Sequence, residues 1–126
     1  MQLHKARLTL EDLSDQLPEG DAAQPDGHLE VLRSRMDKID TAILHLLNER
    51  AVCANVIGGI KVAVGIPIYV PSREAQVIRN VLKLNEGPLP KPAVKRLFER
   101  IIDETRSLER HTYQEPTDDD GNVDTE

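Results

Sequence analysis

Apolar residues recur along the first half of the chain at Leu29, Leu32, Met36, Ile39, Ile43, Leu46, Cys53, Ile57, Ile60 and Val64. From Leu32 onward the steps alternate four and three, with Arg50 standing in the gap between Leu46 and Cys53. This is a heptad stripe of about four and a half repeats. Leu44, Leu47, Ala51 and Ala54 flank it and widen the apolar face beyond a simple two-stranded seam. The pattern predicts one helix from about Leu29 to Val62 or Val64. At about 1.5 Å per residue it is roughly 50 Å long. A single compact domain of this size does not cover such a helix by itself.

Gly65, Pro67 and Pro71 break the pattern, with Ile66, Ile68 and Tyr69 as apolar anchors in the loop. A second helix is predicted from Pro71 or Ser72 to Leu84, turning Glu74, Val77, Ile78 and Val81 inward. Pro71 suits its first turn. The run Asn85-Glu86-Gly87-Pro88-Leu89-Pro90 breaks the chain again. A third helix is predicted from about Lys91 to His111, with Val94, Leu97, Phe98, Ile101, Ile102, Thr105 and Leu108 on its apolar face. No segment reads as a strand. The expected fold class is all-α, a three-helix protomer with one long first helix.

Charge divides the 126 residues in the same places. Residues 29–111 carry 14 Lys and Arg against 10 Asp and Glu, a net of +4, whereas residues 1–28 carry −4 and residues 112–126 carry −6. The acidic ends hold too little apolar surface to offset the entropy of ordering them. They are expected to be disordered, apart from a short helix over Leu8–Leu17, and to be dispensable for chemistry. The domain boundaries expected are therefore 1–28, 29–111 and 112–126.

The single cysteine, Cys53, reads as a small core residue and suits a reducing, cytoplasmic compartment. Apolar runs are too short for a secretory signal or a membrane span. His4, His28, His45 and His111 are isolated, so no metal motif is present, and Gly58-Gly59 lacks the rest of a phosphate loop. Nothing points to nucleic acid.

The informative residues are charges where apolar side chains belong. Arg50 lies inside the stripe, and a buried arginine needs an anion. Two readings fit: an internal salt bridge, with Glu74 the candidate, or a ligand carboxylate or phosphate. Lys61 lies 11 residues later. At about 100° per residue it returns to within about 20° of the same face, with Ala54 and Gly58 leaving room between. Its plain reading is a solvated lysine near a helix end. Arg33 faces about 100° away from Arg50 and lies about 25 Å along the axis. One helix does not aim Arg33 and Lys61 at one small ligand; for both to serve one site, Arg33 must come from another subunit. Arg73-Glu74 opens the second helix. Thr105 interrupts the third helix's stripe, and Glu109 follows one turn later, where its plain reading is a solvated carboxylate paired with Arg106 or Arg110.

Together the segments LRSRMDKIDTAILHLLNERAVCANVIGGIK, IPIYVPSREAQVI and LFERIIDETRSLE resemble the all-helical class of chorismate mutase. The resemblance covers roughly residues 29–111 and holds Arg33, Arg50, Lys61, Arg73 and Glu74 in register. It implies an intertwined homodimer with two sites, each taking Arg33 from the partner's long helix. It implies that Arg33 and Arg50 hold the two carboxylates of chorismate, and that Lys61 contacts a carboxylate and the ether oxygen. Glu74 would accept the ring hydroxyl's hydrogen bond, and Arg73 would support the charge network. Thr105 stands for a small hydroxyl residue near the ligand, and Glu109 would reach the ether oxygen. At Val70 many members carry an acid that also caps the second helix; here Ser72 is a weak substitute, and a contact through the backbone amide would survive. Glu109 stands where members have Gln or Glu.

The reaction so implied converts chorismate to prephenate, for phenylalanine and tyrosine biosynthesis. It is a one-substrate isomerisation that requires no nucleophile, metal or cofactor. Two alternatives stand beside it: an isochorismate pyruvate lyase on the same fold, and a non-catalytic helical dimer that binds an anion or regulates a partner. The short run after the third helix suggests a free-standing protein, with the tails available for docking on another shikimate-pathway enzyme.

Overall fold

The computed structural model describes residues 25–113, and all the regular structure among them is α-helical. The expected helix over residues 8–17 and the acidic tail from residue 114 lie outside the described residues. Helix α1 spans Pro25–Val64, α2 spans Pro71–Leu84 and α3 spans Lys91–Tyr113. Two boundaries differ from expectation. Helix α1 begins four residues before Leu29, at a proline whose fixed φ suits a first turn. Helix α3 runs two residues past His111 because Tyr113 is anchored: its hydroxyl donates to the Asn55 carbonyl at 2.6 Å. Residues 25–28 and 112–113 therefore belong to helices rather than to tails.

The chain divides into two units after Arg50. In the first, α1 is the described element up to that residue, and Leu29, Leu32, Met36, Ile43 and Leu46 of the stripe are exposed. In the second, the remainder of α1 meets its unit through an unexpected face. Gly58 is buried and Ala51, Ala54, Asn55, Gly59 and Lys61 are half-buried, while Ile57, Ile60, Val64 and Cys53 are exposed. The expectation that Cys53 is a core residue is thus corrected. Small residues let a neighbouring helix approach closely, so α1 turns its glycine and alanine face inward and its heptad stripe outward.

Helix α1 ends in a Schellman turn. Gly65 takes φ +81°, the Ile66 amide donates to the Lys61 carbonyl at 2.8 Å, and the Gly65 amide donates to the Val62 carbonyl at 3.4 Å. The loop that follows is pinned by Ile68, which is buried. Helix α2 packs on α3 with Glu74, Val77, Ile78 and Val81 half-buried, as the pattern predicts. An Asx turn joins them: the Gly87 amide donates to Asn85 Oδ1 at 3.2 Å, and Asn85 Nδ2 donates to the Leu89 carbonyl at 2.9 Å. On α3, Val94 and Ile102 are buried, and Phe98, Ile101 and Thr105 half-buried. Leu97 and Leu108 are exposed, contrary to expectation. At about 100° per residue they fall together on one flank of the face, away from the arc through Thr105, Glu109 and Ile102.

Candidate active site

Six of the eight residues singled out by sequence fall in the second unit: Lys61, Val70, Arg73, Glu74, Thr105 and Glu109. Arg33 and Arg50 lie on α1 in the first.

Lys61 stands one turn before the end of α1. Its ammonium donates to the Ile68 carbonyl at 2.9 Å and is partly buried, so the solvated-lysine reading is corrected. The bond spans the Schellman turn and ties the loop to the helix. It commits one of the three N–H donors of an ammonium.

Val70 is the N-cap of α2 and makes no side-chain cap. Its carbonyl accepts from the amides of Arg73 at 3.0 Å and Glu74 at 3.2 Å. Ser72 sits inside the first turn and supplies no substitute cap. Arg73 is exposed and donates to Gln76 Oε1 at 2.7 Å, one turn along its own helix. The structure does not pair it with its neighbour Glu74.

Glu74 is paired across the α2–α3 interface with Arg106. Arg106 also donates to Asp103 Oδ1 at 2.8 Å and lies over the Tyr69 ring at 4.6 Å from its centroid. The side chains of Arg106 and Glu74 are only 22% and 26% exposed, so water screens this pair less than an ion pair on the open surface. The hydrogen bond from Arg106 to Glu74 pushes the guanidinium above its ordinary range. The pair forms part of the wall of an open groove of about 590 Å³, with Ile78, Lys95 and Ile102.

On α3, the Thr105 hydroxyl donates back to the carbonyls of Ile101 and Ile102, each at 3.1 Å, which satisfies a polar side chain on an apolar face. Glu109 is 7% exposed, so the solvated-carboxylate reading is corrected. It packs against the bare backbone of α1 at Gly58, where an added Cβ would lie 3.1 Å from its Oε2. Tyr113, one turn further, closes the same contact over Gly58 and Gly59.

Sequence reasoning singled out Gly58 as leaving room on this face, and passed over Tyr69, Arg106 and Tyr113 as parts of this arrangement. Tyr113 carried a signal, since it lies four residues after Glu109 on the same helical face. Arg106 carried none: it stands 32 residues from Glu74, and only packing of α2 on α3 joins them.

The matches to known proteins bear on this arrangement as a whole. The family model for chorismate mutase type II matches residues 32–110. The chain belongs to that family. The bifunctional chorismate mutase/prephenate dehydratases of Aquifex aeolicus and Neisseria gonorrhoeae are 42% and 46% identical to it over 86 and 78 residues. Those alignments cover 65% and 62% of this chain but only 24% and 21% of those proteins, so the chain spans less than a quarter of their length. A chorismate mutase from Methanocaldococcus jannaschii is 31% identical over 85 residues, covering 67% of this chain and 86% of that protein. Among solved structures, form II of the chorismate mutase from Thermus thermophilus superposes with a TM-score of 0.64 at 32% identity, over 65% of this chain and 93% of that one. The expected family and the all-helical fold are both borne out.

Proposed function

We propose that the chain is a chorismate mutase, an isomerase that rearranges chorismate to prephenate on the cytoplasmic route to phenylalanine and tyrosine. The observation that carries this reading is the family match over residues 32–110, an interval that holds every charge assigned to the site, from Arg33 to Glu109.

The chemistry asked of these residues is modest in kind and demanding in geometry. A flexible dianion must be folded into a reactive conformer, and negative charge must be stabilised on the ether oxygen as its bond to carbon breaks. Arg50 and Arg33 of the partner subunit are assigned the two carboxylates. Lys61, tethered by the Ile68 carbonyl, offers its remaining N–H donors to a carboxylate and to the ether oxygen. Glu74 accepts the ring hydroxyl. Thr105 lines the site, Arg73 supports the charge network, and Val70 contributes through its backbone. Glu109 supplies the second contact at the ether oxygen, and it can donate there only when protonated.

The homodimer belongs to the same proposal. The stripe residues Leu29, Leu32, Met36, Ile43, Leu46, Ile57, Ile60 and Val64 are 37% to 62% exposed. An apolar stripe of that extent calls for a partner surface, and a second copy of the helix has the matching period. Sedimentation at micromolar concentration should show a dimer; a folded, active monomer refutes it.

The deciding assay incubates the protein with chorismate and with isochorismate separately and identifies the products. Prephenate from chorismate is expected. Pyruvate released from isochorismate, without prephenate from chorismate, would make the chain a lyase. No turnover of either would leave a non-catalytic anion-binding dimer.

A further inference from the structure

In the proposed reading, Glu74 brings a carboxylate to a site that must also take a dianion. Like charges at close range repel strongly where water is excluded. The hydroxyl acceptor must also be held in one orientation to select a conformer. Something has to offset the charge of Glu74 and fix its plane.

We infer that Arg106 is a positioning residue for this reaction, neutralising and orienting Glu74 so that a carboxylate can stand beside a dianionic substrate. The inference rests on the proposed role of Glu74 as the hydroxyl acceptor. Arg106 Nη1 donates to Oε2 of Glu74, which leaves Oε1 to accept from the ligand. The guanidinium is itself held three ways. Its Nη2 donates to Asp103 Oδ1 at 2.8 Å one turn back on α3, its plane lies over Tyr69 from the loop before α2, and Glu74 takes the remaining side. The clamp therefore joins the loop, α2 and α3 at one point. A guanidinium does this where an ammonium does less well, because its planar fork offers parallel donors and stacks on a ring. The positive charge is present at every working pH.

The test compares steady-state kinetics of the full chain with Arg106→Ala, Arg106→Lys, Glu74→Gln and the double variant Arg106→Ala/Glu74→Gln, all on chorismate. With Arg106 removed, the exposed charge of Glu74 opposes binding, so KM should rise by about tenfold while kcat falls less. Removing the charge of Glu74 in that background should bring KM back down, so the double variant binds substrate better than Arg106→Ala alone. Arg106→Lys should keep most of the affinity. A merely structural salt bridge would give no such recovery.

An impaired Glu74→Gln beside an Arg106→Ala of native kcat/KM would overturn the inference and leave the role of Glu74 standing. A Glu74→Gln of native kinetics would remove the role of Glu74 and the inference with it. Loss in the double variant at least as large as the two single losses combined would reduce Arg106 to a structural support. Should Arg106→Ala fail to fold, Arg106→Gln in the same cycle keeps length and hydrogen bonding without charge and answers the same question.

Discussion

Alanine at position 58 perturbs Glu109 without changing Glu109 itself. A Cβ on Gly58 would lie 3.0 Å from Tyr113 Cε2, 3.1 Å from Glu109 Oε2 and 3.2 Å from Glu109 Cγ. These approaches are tighter than ordinary van der Waals contact, so both side chains must yield. Two energies oppose each other. Alanine in a helix interior is favoured over glycine by about 0.5–1 kcal/mol. Overpacking a well-filled site costs about 1–3 kcal/mol. The net destabilisation is then about 0–2.5 kcal/mol. At about 4–8 °C per kcal/mol, Tm falls by no more than about 20 °C, measured at fixed protein concentration. Turnover should suffer more. Losing one donor to a developing oxyanion costs about 100- to 1000-fold, and displacing Glu109 rather than deleting it should cost about 10- to 100-fold in kcat. Gly59→Ala is the control. Its Cβ would meet the Tyr113 hydroxyl at 2.9 Å, with the next nearest atoms also on the Tyr113 ring. It should lose the bond to Asn55, worth about 1 kcal/mol, and keep its turnover. Chorismate consumption and thermal unfolding of both variants decide the matter. A folded Gly58→Ala with kcat within about twofold of the native protein would refute the assignment of Glu109 to the ether oxygen, given the size of the effect expected. Equal losses from the two variants would move the cause to Tyr113.

Three other outcomes are expected. If Glu109 donates, turnover falls as pH rises through its titration in the complex, because only the protonated carboxyl has a hydrogen to give; Glu109→Gln should flatten that profile between about pH 4 and 9 and retain activity on the alkaline side. Arg33→Ala and Arg50→Ala should each abolish most activity, with a loss on the order of 3–5 kcal/mol, and mixing the two inactive proteins under subunit exchange should restore one of the two sites in each heterodimer; no recovery from verified heterodimers would contradict a composite site. A chain of residues 25–113 should keep its helicity and turnover, whereas ending it at residue 112 should lower stability by about 1 kcal/mol or more through loss of the Tyr113 hydroxyl's bond to the Asn55 carbonyl; loss of turnover from the longer piece with its fold intact would give the ends a direct role.

Helix positions were legible in the sequence because period and punctuation are local. The steps of three and four from Leu32 to Val64, the breaks at Gly65 and Gly87, and the prolines at the starts of α2 and α3 all act through backbone geometry within one turn. The same locality made Arg50 conspicuous, since it interrupts the stripe that surrounds it, and Lys61 stood out by returning to nearly the same face 11 residues later. Which face of α1 turns inward was not legible. Hydrophobicity favoured the stripe through Cys53 and Ile57, yet the unit after Arg50 packs on Gly58 and Ala54, because helix approach rewards small size and leaves the stripe for another surface. Nor could sequence assign partners to charges. Glu74 had Arg50 as its candidate and has Arg106; Glu109 had solvent and is buried against a glycine. Propensity and period describe single helices, whereas ion pairs and close approaches exist only where two helices meet, and that meeting is decided by the tertiary structure.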